Sequence, residues 1–256
     1  MPTREEYNAE ALRIISEMQD KLAQLEADEF RLLTKKWKVI EQELESLIAK
    51  IANKEFKTKT DLYNDIHYKE FLRLSKIYIE RYDSVASQVI LDNQILFSKI
   101  GTETTYQILD LLTTNFYRLS PDKINTMIGI IRDTAPLYAL LQKSYPYTID
   151  KIADILLKAQ ALGWNPIKTA KLLTESMDGN RKRALLVART EQLRSNREAC
   201  LMSMQESGTC KGWKRIESID ALTCDECEEE NGTEHSFEEP FDSHPNCRGC
   251  RAPIVK

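Results

Sequence analysis

Residues 4 to about 52 contain neither glycine nor proline, and their apolar residues recur every three or four positions: Ile15, Met18, Leu22, Leu25, then Leu33, Trp37, Ile40, Leu44, Leu47 and Ile51. That period is the signature of one long helix with a continuous apolar seam. The one irregular step is from Leu25 to Leu33. The repeat from Leu22 to Leu33 is therefore eleven residues, and the seam relaxes locally before returning to heptads. Such a helix is about 70 Å long at 1.5 Å per residue and cannot bury its stripe alone. Its partner is expected to be an antiparallel helix of the same chain. Coiled-coil self-association through this helix is the alternative.

Asn53 to Thr60 breaks the pattern and reads as a turn. A second helical region follows from about Asp61 to Thr113, with a broad apolar face including Leu62, Ile66, Phe71, Leu74, Ile77, Tyr82 and Val89. Gly101, before Thr102-Glu103-Thr104-Thr105, signals a bend or break there. Tyr63, Tyr68, Tyr78 and Tyr82 lie at helical spacing, which points to core, and His67 reads as a surface or capping residue.

Ser120-Pro121-Asp122 is a helix start, with Ser120 as N-cap and Pro121 at the first position; that helix is expected to reach about Asp133. Pro136 and Pro146 bracket a shorter helix. Another begins at Thr148 or Asp150, with Ile152, Ile155, Leu156 and Leu162 inward, and ends at Gly163. Asn165-Pro166 opens a helix to about Met177. Asp178-Gly179-Asn180 reads as a turn, and a last helix spans about Arg181 to Glu206 before Gly208. The expected fold is mainly α: a long N-terminal helical hairpin, a helical bundle, and a small C-terminal zinc-stapled module with short strands. The expected divisions are 1–118, 119–208 and 209–256.

With 30% charged and 42% hydrophobic residues and a net charge of -4, the chain has no overall attraction to nucleic acid or acidic membranes. The charge is unevenly placed. Arg181 to Glu198 carries six basic residues against two acidic ones, and Thr209 onward carries eleven acidic against six basic. The basic helix is a candidate phosphate-tracking face through Arg181, Lys182 and Arg183, although a solvated helix face is the better explanation. The start Met1-Pro2-Thr3-Arg4-Glu5-Glu6 has no signal-peptide pattern, and no run of about 18 residues is free of charge. No membrane span and a reducing compartment are therefore expected.

Four of the six cysteines and two of the three histidines fall in the last 33 residues. Cys224 and Cys227 form a C-x2-C turn, and after sixteen intervening residues His244 and Cys247 repeat the spacing. Two such pairs can converge on one tetrahedral ion, giving three thiolates and one imidazole. Cys250, again at x2 from Cys247, is an alternate ligand, so an all-cysteine site remains open. Four protein ligands leave no open coordination position, which makes the expected Zn2+ structural. Arg248 and Arg251 are the expected charge-balancing donors to the thiolates. No βαβ pattern surrounds the C-x2-C, which argues against thioredoxin-like redox work. Cys200 is expected to be buried on its helix, and His235 to be exposed in an acidic loop.

These residues fall in a recognisable order. Ala188-Arg189-Thr190-Glu191, Asn196, Gly208, Trp213, Asp220, Thr223-Cys224-Asp225-Glu226-Cys227, Asn231-Gly232 and His244-Pro245-Asn246-Cys247-Arg248 resemble the phage Mu F-like head morphogenesis family, the minor head proteins of tailed phages. The resemblance covers about the last 75 residues. It implies a virion component associated with the portal and other head proteins, present in the procapsid, assembled in the host bacterial cytoplasm and serving head assembly, genome packaging or delivery. One departure is clear: members commonly read Cys-Arg-Cys at the end, whereas Gly249 here separates Arg248 from Cys250. The fourth ligand, His244 or Cys250, is thereby left open. Within the motif, Arg189 and Glu191 lie two apart on a helix and cannot face each other. Glu191 or Asp220 is therefore expected to pair with Arg189 or Arg248, fixing the helix against the module, while Trp213 covers the apolar side of the site.

Three functions remain to be weighed. A structural minor head protein leads. A nucleic-acid-binding zinc protein using the helix 181–197 comes second, opposed by the acidic flank from Glu226 to Glu239. A virion-carried enzyme comes last, because the sequence offers no nucleophile–base pair, phosphate-cradling glycine loop or H-E-x-x-H.

Overall fold

The computed structural model describes residues 3–52, 54, 56, 58–112, 115–120, 122–123, 141 and 145–256. Helix α1 (Arg4–Ala52) is followed by α2 (Lys59–Asn64), α3 (Ile66–Asp110), α4 (Tyr145–Ala161) and α5 (Pro166–Ser207). The C-terminal module adds β1 (Cys210–Ile216), α6 (Asp225–Glu230), β2 (Glu234–His235) and β3 (Cys250–Val255). The helices expected from Ser120 to Asp133 and between Pro136 and Pro146 lie outside the described residues, apart from the few just named. Among the described residues no helix is long and apolar enough to cross a membrane.

By contacts the chain forms two compact units: Met1–Asp28 with Val89–Thr134 and Ala188–Lys256, and Glu29–Gln88 with Ala135–Val187. In the first, Ile14, Ile15, Met18 and Leu22 of α1 cluster with Phe97, Ile100 and Ile108 of α3 and Leu193 of α5. In the second, Leu33, Trp37, Ile40, Leu44, Ile48 and Ile51 continue the α1 seam, and Trp37 meets Tyr82 of α3 edge-on at 5.0 Å. Early α1 thus lies against late α3, and late α1 against early α3. The seam is covered from within the chain, as an antiparallel pair.

Several boundaries differ from the sequence expectation. A break at Asp65 separates α2 from α3. Thr58 and Asp61 form a capping box at the start of α2, and the Asp65 carboxylate accepts from the backbone N–H groups of His67 and Tyr68, both at 2.9 Å. Helix α4 starts at Tyr145, earlier than expected, and Leu162 is exposed. Asn165 does cap α5, its Oδ1 accepting from Lys168 N at 2.8 Å.

The two glycines read as breaks are both mid-helix, for different reasons. At Gly101 a Cβ would sit 2.7 Å from the Asn196 carbonyl oxygen and 3.0 Å from Cys200 Sγ. The glycine is where α3 and α5 touch backbone to backbone. At Asp178-Gly179-Asn180 the helix simply continues. Asp178 pairs with Arg181 and Lys182 one turn ahead, and Asn180 Nδ2 donates to the Met177 carbonyl. Local turn chemistry is overridden by the packing of α5.

Sheet order is β2-β1-β3, antiparallel throughout, with Trp213 opposite His235 and Arg215 opposite Arg251. Gly212 lets β2 approach, since a Cβ there would collide with the His235 carbonyl.

Gly101→Ala and Gly179→Ala should move stability in opposite directions. Alanine gains up to about 1 kcal/mol of helix propensity at either site, but overpacking at the Gly101 crossing costs about 1–3 kcal/mol. Nothing lies within 4 Å of a Cβ at Gly179. Urea denaturation should therefore show Gly101→Ala destabilised and Gly179→Ala stabilised by about 0.5–1 kcal/mol.

A pH dependence follows from Asp83 on α3, which is 1% exposed with Oδ2 unpartnered among the described residues. Burial raises its carboxyl from 3.8 to about 7. Between those values the folded chain holds a proton that the unfolded chain has released, so Asp83 lowers stability as pH rises through this window. Asp83→Asn should be more stable than wild type at pH 8 by on the order of 2–4 kcal/mol, with the difference vanishing near pH 4 in parallel denaturation curves.

Candidate metal centre

Each ligand of the expected site is fixed by a different local device. Cys224 is the N-cap of α6 and Cys227 lies on its first turn, so the short helix presents both thiols on one side. The loop 244–247 is turned by Asn246, the one described non-glycine residue at positive φ, +68°, a conformation asparagine tolerates better than most. A backbone hydrogen bond from Cys247 N to the His244 carbonyl at 3.1 Å closes that turn.

The geometry brings four of the candidate ligands together. His244 Nε2 lies 3.2 Å from both Cys224 Sγ and Cys227 Sγ, and Cys227 Sγ lies 3.8 Å from Cys247 Sγ. Around one tetrahedral ion with metal–sulfur bonds of about 2.3 Å, two sulfurs are about 3.8 Å apart and sulfur and imidazole nitrogen about 3.6 Å. The spacing therefore fits a metal ion. His244 Nδ1 donates to the Pro245 carbonyl at 2.8 Å, which selects the tautomer with Nε2 free to coordinate. Cys250 stands apart. It is 3% exposed, with Sγ near Gln19 Nε2 and the Ile216 carbonyl, and belongs to the apolar cluster between α1 and α3.

The protonation pattern follows from placement. Burial pushes the Cys227 thiol up to about 12, while the Cys227 backbone N–H and then the Cys227 and His244 side chains lower the exposed Cys224. A bound cation reverses the first effect, since a coordinated thiol is held deprotonated.

A second trio, Glu217, Cys227 and Cys247, also lies within 4.8 Å ligand to ligand and is wholly buried. It already holds a cation. Arg215 donates from Nε to Glu217 Oε1 at 2.6 Å and from Nη2 toward Cys227 Sγ at 3.5 Å and Cys247 Sγ at 3.8 Å. The outer trio of Cys224, Cys227 and His244 is the one free to take an ion, with Cys247 beside it.

The donors to the thiolates are thus not the arginines expected. Arg248 forms a fork on Asp220, 2.6 Å from Nη1 to Oδ2, and holds that carboxyl well below the usual carboxylate range. Arg251 donates to the Arg197 carbonyl and to Glu198 and lies over the Trp213 ring. Arg215 was missed, though a signal existed: Trp213, Arg215 and Glu217 share one face of β1 and its extension, and all three are buried.

Arg197 was missed as well. From α5, buried to 4% exposure, it donates Nε to the Gly249 carbonyl at 2.7 Å and Nη2 to the Cys247 carbonyl, with its guanidinium 4.5 Å over Phe241. The last link of the ligand loop is thereby fastened to the helix.

The motif residues on α5 behave only partly as expected. Arg189 pairs with Glu26 of α1 and reaches Asn246 Oδ1 at 3.3 Å. Glu191 pairs with Arg194, and Thr190 is half-buried beside them. Of the expected pairings, Asp220 with Arg248 is the one present. Asn196 is fully buried and donates to the Phe97 carbonyl at 3.0 Å. Trp213, fully buried, packs in one cluster with Cys227, Cys247 and Phe241, as expected of a cover for the site. His235 is not an exposed loop residue: it stacks on Trp213 at 4.2 Å and is held by Thr233 and Glu239. Cys200 is buried.

The basic stretch is largely engaged within the chain. Arg181 pairs with Asp178 and reaches Thr34, and Lys182 is exposed within 3.4 Å of Asp178. Arg183 is half-buried. The cleft next to the metal centre is lined by Glu226, Glu229, Glu230, Glu239 and Asp242.

Compared with family models, with curated proteins and with solved structures, the chain matches none.

Arg197→Met should loosen the tail without unfolding the helices. It strands two buried carbonyls, each costing about 1–3 kcal/mol. Near-UV circular dichroism should lose the signal of the Trp213–Phe241 cluster at lower urea than in wild type, with far-UV helicity retained; coincident, unshifted transitions would contradict the assignment.

Proposed function

We propose that the chain is a structural, non-enzymatic minor head protein of a tailed phage, of the Mu F-like head morphogenesis kind, whose tail is stapled by one Zn2+. It associates with the portal and other head proteins in the procapsid and virion, assembled in the host bacterial cytoplasm, and serves head assembly, genome packaging or delivery.

The observation that carries this reading is that motif residues far apart in sequence meet around one centre. Arg189 of the Ala-Arg-Thr-Glu element touches Asn246 of the His-Pro-Asn-Cys-Arg element, Arg248 of that element grips Asp220, and His244 faces Cys224 and Cys227. Asn231 accepts from the Glu217 backbone N–H, and Gly232 supplies the positive φ of the adjoining turn. Such mutual support is what a shared structural element would require of its recurrent residues.

Zinc is the metal favoured by the donor set. A donor set of three thiolates and an imidazole suits a d10 divalent ion, and a filled coordination sphere makes it a staple that joins α6 to the loop 244–247. When bound, zinc supplies cross-linking and a local positive charge. The chain's own residues do the orienting: Pro245 sets the His244 tautomer, Asn246 turns the loop, and Arg197 anchors it. For DNA binding the geometry offers less, since Arg181 and Lys182 share the Asp178 carboxylate and the flank of the metal centre is acidic.

Two measurements test this. Metal analysis should find about one zinc per chain in wild type and in Cys250→Ala, and a loss in Cys224→Ser and His244→Ala, accompanied by unfolding of the tail. Nuclease-treated procapsids of the phage encoding the chain should retain it with the portal. A metal-free wild type sinks the staple, and absence from both procapsids and virions sinks the head-protein role.

A further inference from the structure

The buried trio Glu217, Cys227 and Cys247 has the donor atoms of a metal site but is filled by an arginine. Arg215 is 3% exposed, and every arm of its guanidinium is spoken for: Nε by Glu217, Nη1 by the Asp242 carbonyl at 2.8 Å, and Nη2 by the two sulfurs. Its flat face lies 4.4 Å from the Phe241 ring centroid. Glu217, which holds this fork in place, has its own space guaranteed: a Cβ at Gly249 would overlap the Glu217 carboxylate. The one residue that separates Arg248 from Cys250 is thus the residue that lets the carboxylate in.

We propose that Arg215 is a positioning residue for the metal centre, oriented by Glu217 in the room left by Gly249. This rests on the metal reading above. Its Nη2 donates toward the sulfur of Cys227, which the two trios share, and toward that of Cys247. It fixes the direction of the two sulfurs, leaving their remaining lone pairs for the position shared with Cys224 and His244. A guanidinium suits this task because its planar fork fixes direction as well as charge, which a lysine ammonium does not. Hydrogen bonds from outside the coordination sphere set metal affinity by about ten- to a hundredfold.

Cobalt(II), a spectroscopic stand-in for zinc, provides the test, with affinity measured by chelator competition on the full-length chain. Arg215→Gln should weaken binding ten- to a hundredfold and shift the thiolate-to-cobalt charge-transfer band. Arg215→Lys, which keeps the charge but not the fork, should fall between it and wild type. Glu217→Gln, which leaves Arg215 present but unsteered, should weaken binding several-fold, and it carries the test if Arg215→Gln does not fold. Folded variants that match wild type within twofold in affinity and share its cobalt spectrum overturn the role of Arg215 while leaving the metal site standing. A wild-type chain that takes up no cobalt overturns the metal reading and this inference with it.

Discussion

Three arginines buried around one phenylalanine set the terms on which the C-terminal module can exist. The guanidinium groups of Arg197, Arg215 and Arg251 lie 4.5, 4.4 and 5.6 Å from the centroid of Phe241, and each residue is at most 4% exposed. Charges taken out of water must be matched nearby or they cost several kcal/mol each. Carboxylates account for part of the match: Glu217, buried, serves Arg215, and Glu198, partly exposed, serves Arg251. Arg197 donates to two backbone carbonyl oxygens, those of Gly249 and Cys247. The polar atoms next in reach are the sulfurs of Cys227 and Cys247, which face Arg215 Nη2. A centre of three thiolates, one imidazole and a divalent ion carries about one negative charge. Cysteines deprotonated around a bound ion would complete an electrostatic arrangement that neutral thiols would leave positive.

The same cluster explains how a small three-stranded sheet is held without a large core of its own. A sheet this small needs an external staple or a partner surface. Here Arg197 and Arg251 supply the second, by binding the backbone of the 247–249 loop and the C-terminal stretch of α5 respectively. Helix α5 is itself seated on α3 at the glycine crossing, where Asn196 and Cys200 both reach α3 carbonyls. Within this unit, then, a chain of short polar contacts runs from α3 through α5 to the candidate metal ligands. It is the reason that motif residues on a helix and motif residues in a cysteine-rich tail can belong to one constellation.

The long seam of α1, its antiparallel cover and the pairing of Cys224 and Cys227 with His244 and Cys247 were legible because period and spacing report them directly. What stayed illegible depends on partners distant in sequence. Gly101 and Gly179 look alike locally; only the presence of Asn196 beside one of them decides that it is a close approach and not a break. Arg189 and Arg248 were expected to share partners with Glu191 and Asp220, yet Arg189 found Glu26, more than 160 residues away. Arg197 gave the weakest signal of all, since charged residues at buried positions are rare and helical periodicity alone assigns it to the surface; Arg215 shows only through its alternation with Trp213 and Glu217.

The choice between His244 and Cys250 illustrates how a single residue can decide a coordination set. Gly249 lies between Arg248 and β3, and Cys250 is the first residue of that strand, opposite Ile216. Its sulfur then faces Gln19 and the apolar cluster on α1, where burial holds the thiol protonated. Moving it into the metal centre would require β3 to lose its first pairing and the Glu217 carboxylate to give up the space over Gly249. His244 needs no such rearrangement, because its Nε2 already lies 3.2 Å from two sulfurs with its other nitrogen committed to Pro245. Gly249 thus stands between two cysteines in different places: Cys247 lies beside the candidate ligand trio, and Cys250 packs the sheet against α1.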